Sequence, residues 1–259
     1  MSVSNRVVYA TQPRPLRDQI HDLLKKPSPE AIEGQITAIV VPDANLLKGG
    51  EVAANVYKLL EGRSYDTVII VTPSHIGGFN RIHICNVDVY HTPFGELHVN
   101  DQIRNELCDE DDDIFLDNRG HFHTEGIDVQ LPFLQTVLEG SFDIVPIVMG
   151  DESPDLCREL GHAIGEVMYN RKALLVVTAN ILEADLEALQ KLKEHFELAD
   201  VSRLMSFINS DALRIEGRGP LLVGLIASLH RKADRIRVLA VTPPSNGMPG
   251  FVGAILARR

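Results

Sequence analysis

The residues best placed to do chemistry are an acid and an imidazole that follow two apolar runs in the same way. "TAIVV" at 37–41 leads into Pro42 and Asp43, and "TVIIVT" at 67–72 leads into Pro73, Ser74 and His75, so that the imidazole stands 32 positions after the acid. A third run, "ALLVVTA" at 173–179, leads into Asn180, with Glu183 and Asp185 close behind. In "RIEGRGPLLVGLI" (214–226), Glu216 stands just before a Gly-x-Gly-Pro turn that opens a helix. A carboxylate is favoured there by the helix dipole. One imidazole with two carboxylates is a donor set for a hard divalent ion such as Fe(II), Mn(II) or Mg(II), rather than for Cu(I). The same residues also have purely structural uses. Asp43 can cap the segment after it, His75 can be a satisfied turn histidine, and Glu216 can be a plain helix cap.

These residues share a site only if the apolar runs are strands of one sheet. "TAIVV", "TVIIVT", "DIVPIVM" (143–149), "ALLVVTA" and "RIRVLAV" (235–241) are short, β-branched and bounded by polar, Gly or Pro residues. "FVGAILA" reads as a last strand. In a parallel sheet the C-terminal strand ends lie along one edge, so the first two strands, as neighbours, are expected to deliver Asp43 and His75 together. Helical patterns alternate with the strands. "GEVAANVYKLLEG" has apolar residues at 52, 53, 56, 59 and 60. "IDVQLPFLQTVLEG" ends on Gly140 as a C-cap, "SPDLCRELGHAIGEVMYN" starts from Ser153 and Pro154, and "GPLLVGLIASLHRK" ends in basic residues. "RIHICNVDVYHTPFGELHVND" predicts a strand, a turn around Pro93-Phe94-Gly95, a short strand, and a helix capped by Asn100 or Asp101. The alternation predicts a single layered α/β/α domain over 1–259 with a mostly parallel central sheet.

Composition excludes several classes. Trp is absent and aromatics are 5% of the 259 residues, so the core must be Val, Ile, Leu and Ala, as in a helix-covered sheet. A net charge of −11 argues against a nucleic-acid surface, which needs clustered Lys and Arg. Three widely spaced cysteines, Cys85, Cys108 and Cys157, argue against a disulfide framework and for a reducing compartment. The first residues lack the pattern of a signal peptide, and no stretch approaches the ~18 apolar residues of a membrane span. A cytoplasmic protein is the expectation. Weaker motifs carry bland readings. His121 and His123 form an H-x-H pair expected in a polar loop, and the acidic run within 108–115 reads as a solvated loop. Ser74 lacks a G-x-S-x-G setting, and Gly77-Gly78 lack Rossmann spacing.

Ordered blocks along almost the whole chain resemble the Memo family, also known in prokaryotes as AmmeMemoRadiSam system protein B. "VVPDANLLKGGEVAANVY", "VIIVTPSHIGG", "YHTPFGELHVND", "HTEGIDVQLPFLQ", "DIVPIVMGD", "LLVVTANILEADL" and "IEGRGPLLVGL" fall in the family's order. The resemblance implies the fold of the LigB-type class III extradiol dioxygenases. It also implies a pocket in which the family's metal-type His, His and Cys fall on Asp43, His75 and, allowing a one-residue slip, Glu216. A family His falls on Glu125, and a family Asp and His fall on Asn180 and Glu183. Only His75 is unchanged. Two readings follow. In one, Asp43, His75 and Glu216 hold a divalent ion, Glu183 or Glu125 is a general base, and Asn45, Ser74, Asn180 and Arg218 complete the pocket. Ring-cleaving dioxygenase or hydrolase chemistry belongs to that reading. In the other, the pocket is metal-free and the protein is a non-catalytic binding or scaffold protein, with a cation such as Lys48 or Arg218 balancing the acids. The resemblance further implies AMMECR-type and radical SAM partners.

Overall fold

The computed structural model describes residues 9–25, 30–76, 79–108, 113–121 and 124–259. In chain order the strands are β1 (Gln35–Val41), β2 (Thr67–Pro73), β3 (Ile82–Ile84), β4 (Val89–Thr92), β5 (Gly95–His98), β6 (Ile114–Leu116), β7 (Asp143–Met149), β8 (Ala173–Thr178), β9 (Asn180–Ala184), β10 (Leu213–Glu216), β11 (Arg235–Val241) and β12 (Gly250–Arg258). The helices are α1 (Pro13–Leu24), α2 (Leu46–Tyr57), α3 (Asp101–Leu107), α4 (Gly126–Val137), α5 (Pro154–Val167), α6 (Leu186–Glu197), α7 (Val201–Ile208) and α8 (Arg218–His230).

The apolar runs of β1, β2, β7 and β8 become strands because they are buried on both faces, whereas β11 is only half-buried along its length and lies at the flank. Every residue of β2 and of β8 is buried. These strands make the parallel centre β1–β8–β2–β7 of a sheet ordered β10–β9–β12–β1–β8–β2–β7–β3–β6, with β11 also on β12. Beyond the centre the sheet is mixed. β12 runs antiparallel to β1, β9 and β11, and β3 runs antiparallel to β7. β4 and β5 form a separate hairpin. One expectation needs correction: β1 and β2 are not neighbours, because β8 lies between them.

Alternate residues feed two cores. Ala38 and Val40 of β1 face the core shared with α3 and α5–α8. Ile36, Ile39 and Val41 face the core shared with α1, α2 and α4. At the far end of α8, fully buried Arg231 donates to the carbonyls of Thr37 and Ala173, at the starts of β1 and β8. α8 thus runs from one sheet edge to the other. Asn100 is the cap of α3, accepting from the Ile103 N–H. α4 stops earlier than expected, at Leu138, and Gly140 takes the left-handed conformation just beyond it. The three cysteines are free, and among the described residues no helix is long and apolar enough to cross a membrane.

Candidate functional site

Three strand ends and one helix start meet at the C-terminal edge of the parallel centre. Asp43 follows β1, His75 follows β2, Asn180 opens β9 directly after β8, and Glu216 ends β10 just before α8. Asn180 and Glu216 are cross-strand partners in the β9–β10 pair. Gly217, between Glu216 and α8, has φ +81°, and a Cβ there would collide with the Thr178 carbonyl. Only glycine allows so tight a turn against β8.

The Asp43 side chain is wholly buried. Its Oδ2 accepts from the Thr72 hydroxyl at 2.8 Å and lies 3.0 Å from the Thr178 hydroxyl. Those hydroxyls are 2.9 Å apart, and Thr124 Oγ1 is 3.4 Å from Thr72 Oγ1. Asp43 Oδ1 is buried without a hydrogen-bond partner. The Asn180 amide holds Asp43 and Glu216 together. Its Oδ1 accepts from the Asp43 N–H at 3.1 Å, and its Nδ2 donates to the Asp43 carbonyl at 2.6 Å and to Glu216 Oε2 at 2.9 Å. His75 Nε2 stands 3.5 Å from Asp43 Oδ2 and 3.7 Å from Glu216 Oε1.

Burial works against a charge on His75. The contact with Asp43 and the charges of Asp43, Glu216 and Glu125 outweigh it and raise the imidazole pKa to about 9. Glu125 contributes from the N-cap of α4. Beside the cluster opens a cleft of about 600 Å³ lined by Ser74, Asp151, Glu152, Arg214, Glu216 and Arg218. Burial pushes the Glu152 carboxyl up to about 7, against hydrogen bonds from the Gly219 and Arg218 backbone and the Arg218 charge, with Glu216 adding to the rise. The Arg218 guanidinium is 3.6 Å from Glu152.

The structure therefore brings Asp43, His75, Glu216 and Asn180 together, with Glu125 near enough to act on the imidazole. Glu183 is elsewhere. A register shift in the β9–β10 pair sets Glu183 opposite Arg214, two residues along β10 from Glu216. There it pairs with Arg214 at 2.7 Å, about two-thirds exposed. Asn45 caps α2 by accepting from the Lys48 N–H, so Asp43 is not that helix's cap. Lys48 itself is exposed, and Arg218 pairs with Glu152. Ser74 folds back on Ile76, donating to its carbonyl at 2.8 Å and accepting from its N–H at 3.2 Å. His121 is not in a polar loop. It is fully buried, its Nε2 is 3.0 Å from the His83 carbonyl, and burial drives its pKa down to about 4. His123, Gly77, Gly78 and acids 109–112 lie outside the described residues.

Sequence reasoning missed Thr72, Thr178 and Glu152. A positional signal existed: Thr178 closes β8, Thr72 is the last residue but one of β2, and Glu152 comes three residues after β7, whose end lies on the same edge.

Comparison with known proteins agrees with this architecture. A family model described as Memo-like protein matches residues 6–246. A MEMO1 family protein of Sulfolobus acidocaldarius is 33% identical over 96% of this chain and 95% of its own length. A MEMO1 family protein of Saccharolobus solfataricus is 28% identical over the same shares. The crystal structure of an uncharacterized protein from Escherichia coli K12 shares the fold, with TM-score 0.59 and 14% identity over 85% of this chain and 99% of that one. Because the family model and these relatives match nearly end to end, the chain belongs to the Memo family.

Proposed function

We propose that this protein holds a divalent ion of the Fe(II), Mn(II) or Mg(II) class at the meeting point of Asp43, His75 and Glu216, facing a small molecule in the adjoining cleft. One observation carries the reading. A single imidazole nitrogen stands between two carboxylates from separate elements, while Asp43 Oδ1 is buried with no hydrogen-bond partner. A buried carboxylate oxygen left unpaired is costly, and a hard cation is what this donor set takes. Among the described residues no set of three or more His, Cys, Asp or Glu has the arrangement of a formed ion site. The fit is therefore one of donor chemistry and burial. When bound, such an ion supplies Lewis-acid polarisation and, if it is iron, the redox chemistry of LigB-like ring cleavage. The chain's own residues do the rest. Thr72, Thr178 and Asn180 orient the carboxylates, Glu152 holds or releases a proton near neutrality at the cleft wall, and Glu125 adds negative charge.

The test is the affinity of anaerobically purified protein for Fe(II), Mn(II) and Zn(II), beside an Asp43→Ala, His75→Ala double variant. Stoichiometric binding lost in the variant supports the reading, and equal background binding in both sinks it.

A second reading rests on the raised imidazole pKa. In it His75 is itself the cation, its imidazolium balances Asp43 and Glu216, and the protein is a metal-free binding protein. An imidazole titration by NMR that is unmoved by added Mn(II) is its signature.

A further inference from the structure

We infer that Asn180 is the positioning residue that sets how Asp43 and Glu216 face the imidazole, by spending its whole amide on those two residues. An asparagine side chain has two N–H donors and one carbonyl acceptor. Here both donations come from Nδ2, to the Asp43 carbonyl and to Glu216 Oε2, and the acceptor takes the Asp43 N–H. The residue is 3% exposed, so water does not substitute for these partners. The bonds to the Asp43 backbone fix the amide plane relative to the end of β1. The bond to Oε2 then fixes Glu216, leaving its Oε1 as the oxygen nearest His75. Asp43 is treated in the same way: neutral hydroxyls of Thr72 and Thr178 engage its Oδ2. Both carboxylates are thus oriented by neutral groups, which align them without cancelling their charge.

The chemistry at position 180 is narrow. A carboxylate there keeps the acceptor for the Asp43 N–H but loses both donors, and it sets two negative groups at hydrogen-bond distance. The inverted pair, Asp at 180 and Gln at 216, restores one donor and one acceptor across the same contact.

The inference rests on the cation reading for its effect on an ion, but the positioning itself is read without metal. The experiment measures urea unfolding of the metal-free full chain for wild type, Asn180→Asp, Glu216→Gln and the double variant, and Mn(II) affinity for wild type and Asn180→Ala. Asn180→Asp is expected to lower the folding constant at least about tenfold, the scale of a lost hydrogen bond to a charged group. The double variant is expected to recover the part of that loss that belongs to the contact with position 216, the donation to the Asp43 carbonyl staying lost. In Asn180→Ala, Mn(II) affinity is expected to fall about tenfold or more for the same reason. A double variant whose loss is the sum of the single losses overturns the inference, as does Asn180→Asp with wild-type stability. If wild type binds no Mn(II) while the swap still rescues, the cation reading fails and the positioning role stands.

Discussion

An imidazole with a side chain only 19% exposed would ordinarily shed its proton, yet the carboxylates around His75 hold one there up to about pH 9. The folded pKa lies above the ordinary value of 6.5. The stabilisation is therefore complete below that value and disappears as pH rises from it to about 9. Metal-free His75→Gln is expected to be less stable than wild type by up to about 3 kcal/mol near pH 6, by urea unfolding. The gap should close by about pH 10, and a gap that ignores pH counts against the ion-paired imidazolium. On the proposed cation reading, the same proton competes with the ion. Mn(II) affinity measured by calorimetry is expected to grow roughly tenfold per pH unit on the approach to pH 9. Asp43 and His75 were legible in the sequence because each stands just beyond a strand signal, and Glu216 because it precedes the Gly-x-Gly-Pro start of a helix. Thr72 and Thr178 were hidden because a hydroxyl at a strand end looks like any β-branched residue. Glu152 was hidden because its environment is made by α8, a distant segment.

At the scale of elements, α4 presses its first residue against the site. A Cβ on Gly126 would strike Thr72 Oγ1 and lie 2.9 Å from both Asp43 oxygens. Gly126→Ala is expected to cost about 1–3 kcal/mol from overpacking and to weaken ion binding, by unfolding and Mn(II) titration together. Gly140→Ala makes the control. That glycine has positive φ but nothing within 4 Å of a new Cβ, so it should cost about 1 kcal/mol and leave binding unchanged. The central strands were readable because burial on both faces leaves unbroken apolar runs. β9 was not, because only Ala179 separates it from β8, and the two read as one strand followed by a loop. Its partners β10 and β12 are distant in sequence, so no local pattern announces the antiparallel flank. Of α1 only the end was legible, in the basic pair Lys25-Lys26, although Leu16, Ile20 and Leu24 recur at helical spacing and are all buried.

At the scale of the molecule, α8 links the candidate site to the opposite edge of the sheet. Its thirteen residues span roughly 20 Å at 1.5 Å per residue. Its last turn is followed by Arg231, whose guanidinium ties the starts of β1 and β8. Burial, with Arg258 nearby, lowers the Arg231 pKa to about 10, so the group is placed at a cost and must return it through those carbonyl bonds. Arg231→Ala is expected to destabilise the fold by about 3 kcal/mol or more, because it empties a packed volume and strands two buried carbonyls. Urea unfolding checks the loss. Mn(II) affinity of the fraction that stays folded should be unchanged, since Glu216 and Asn180 are held from the other end.

Asp43 and Glu216 are each tied to the sheet by neutral donors, whereas the imidazole of His75 rides on a short turn closed by Ser74. The three corners of the triangle are therefore held differently: two by side-chain hydrogen bonds to strand residues, and one by the backbone turn that carries it.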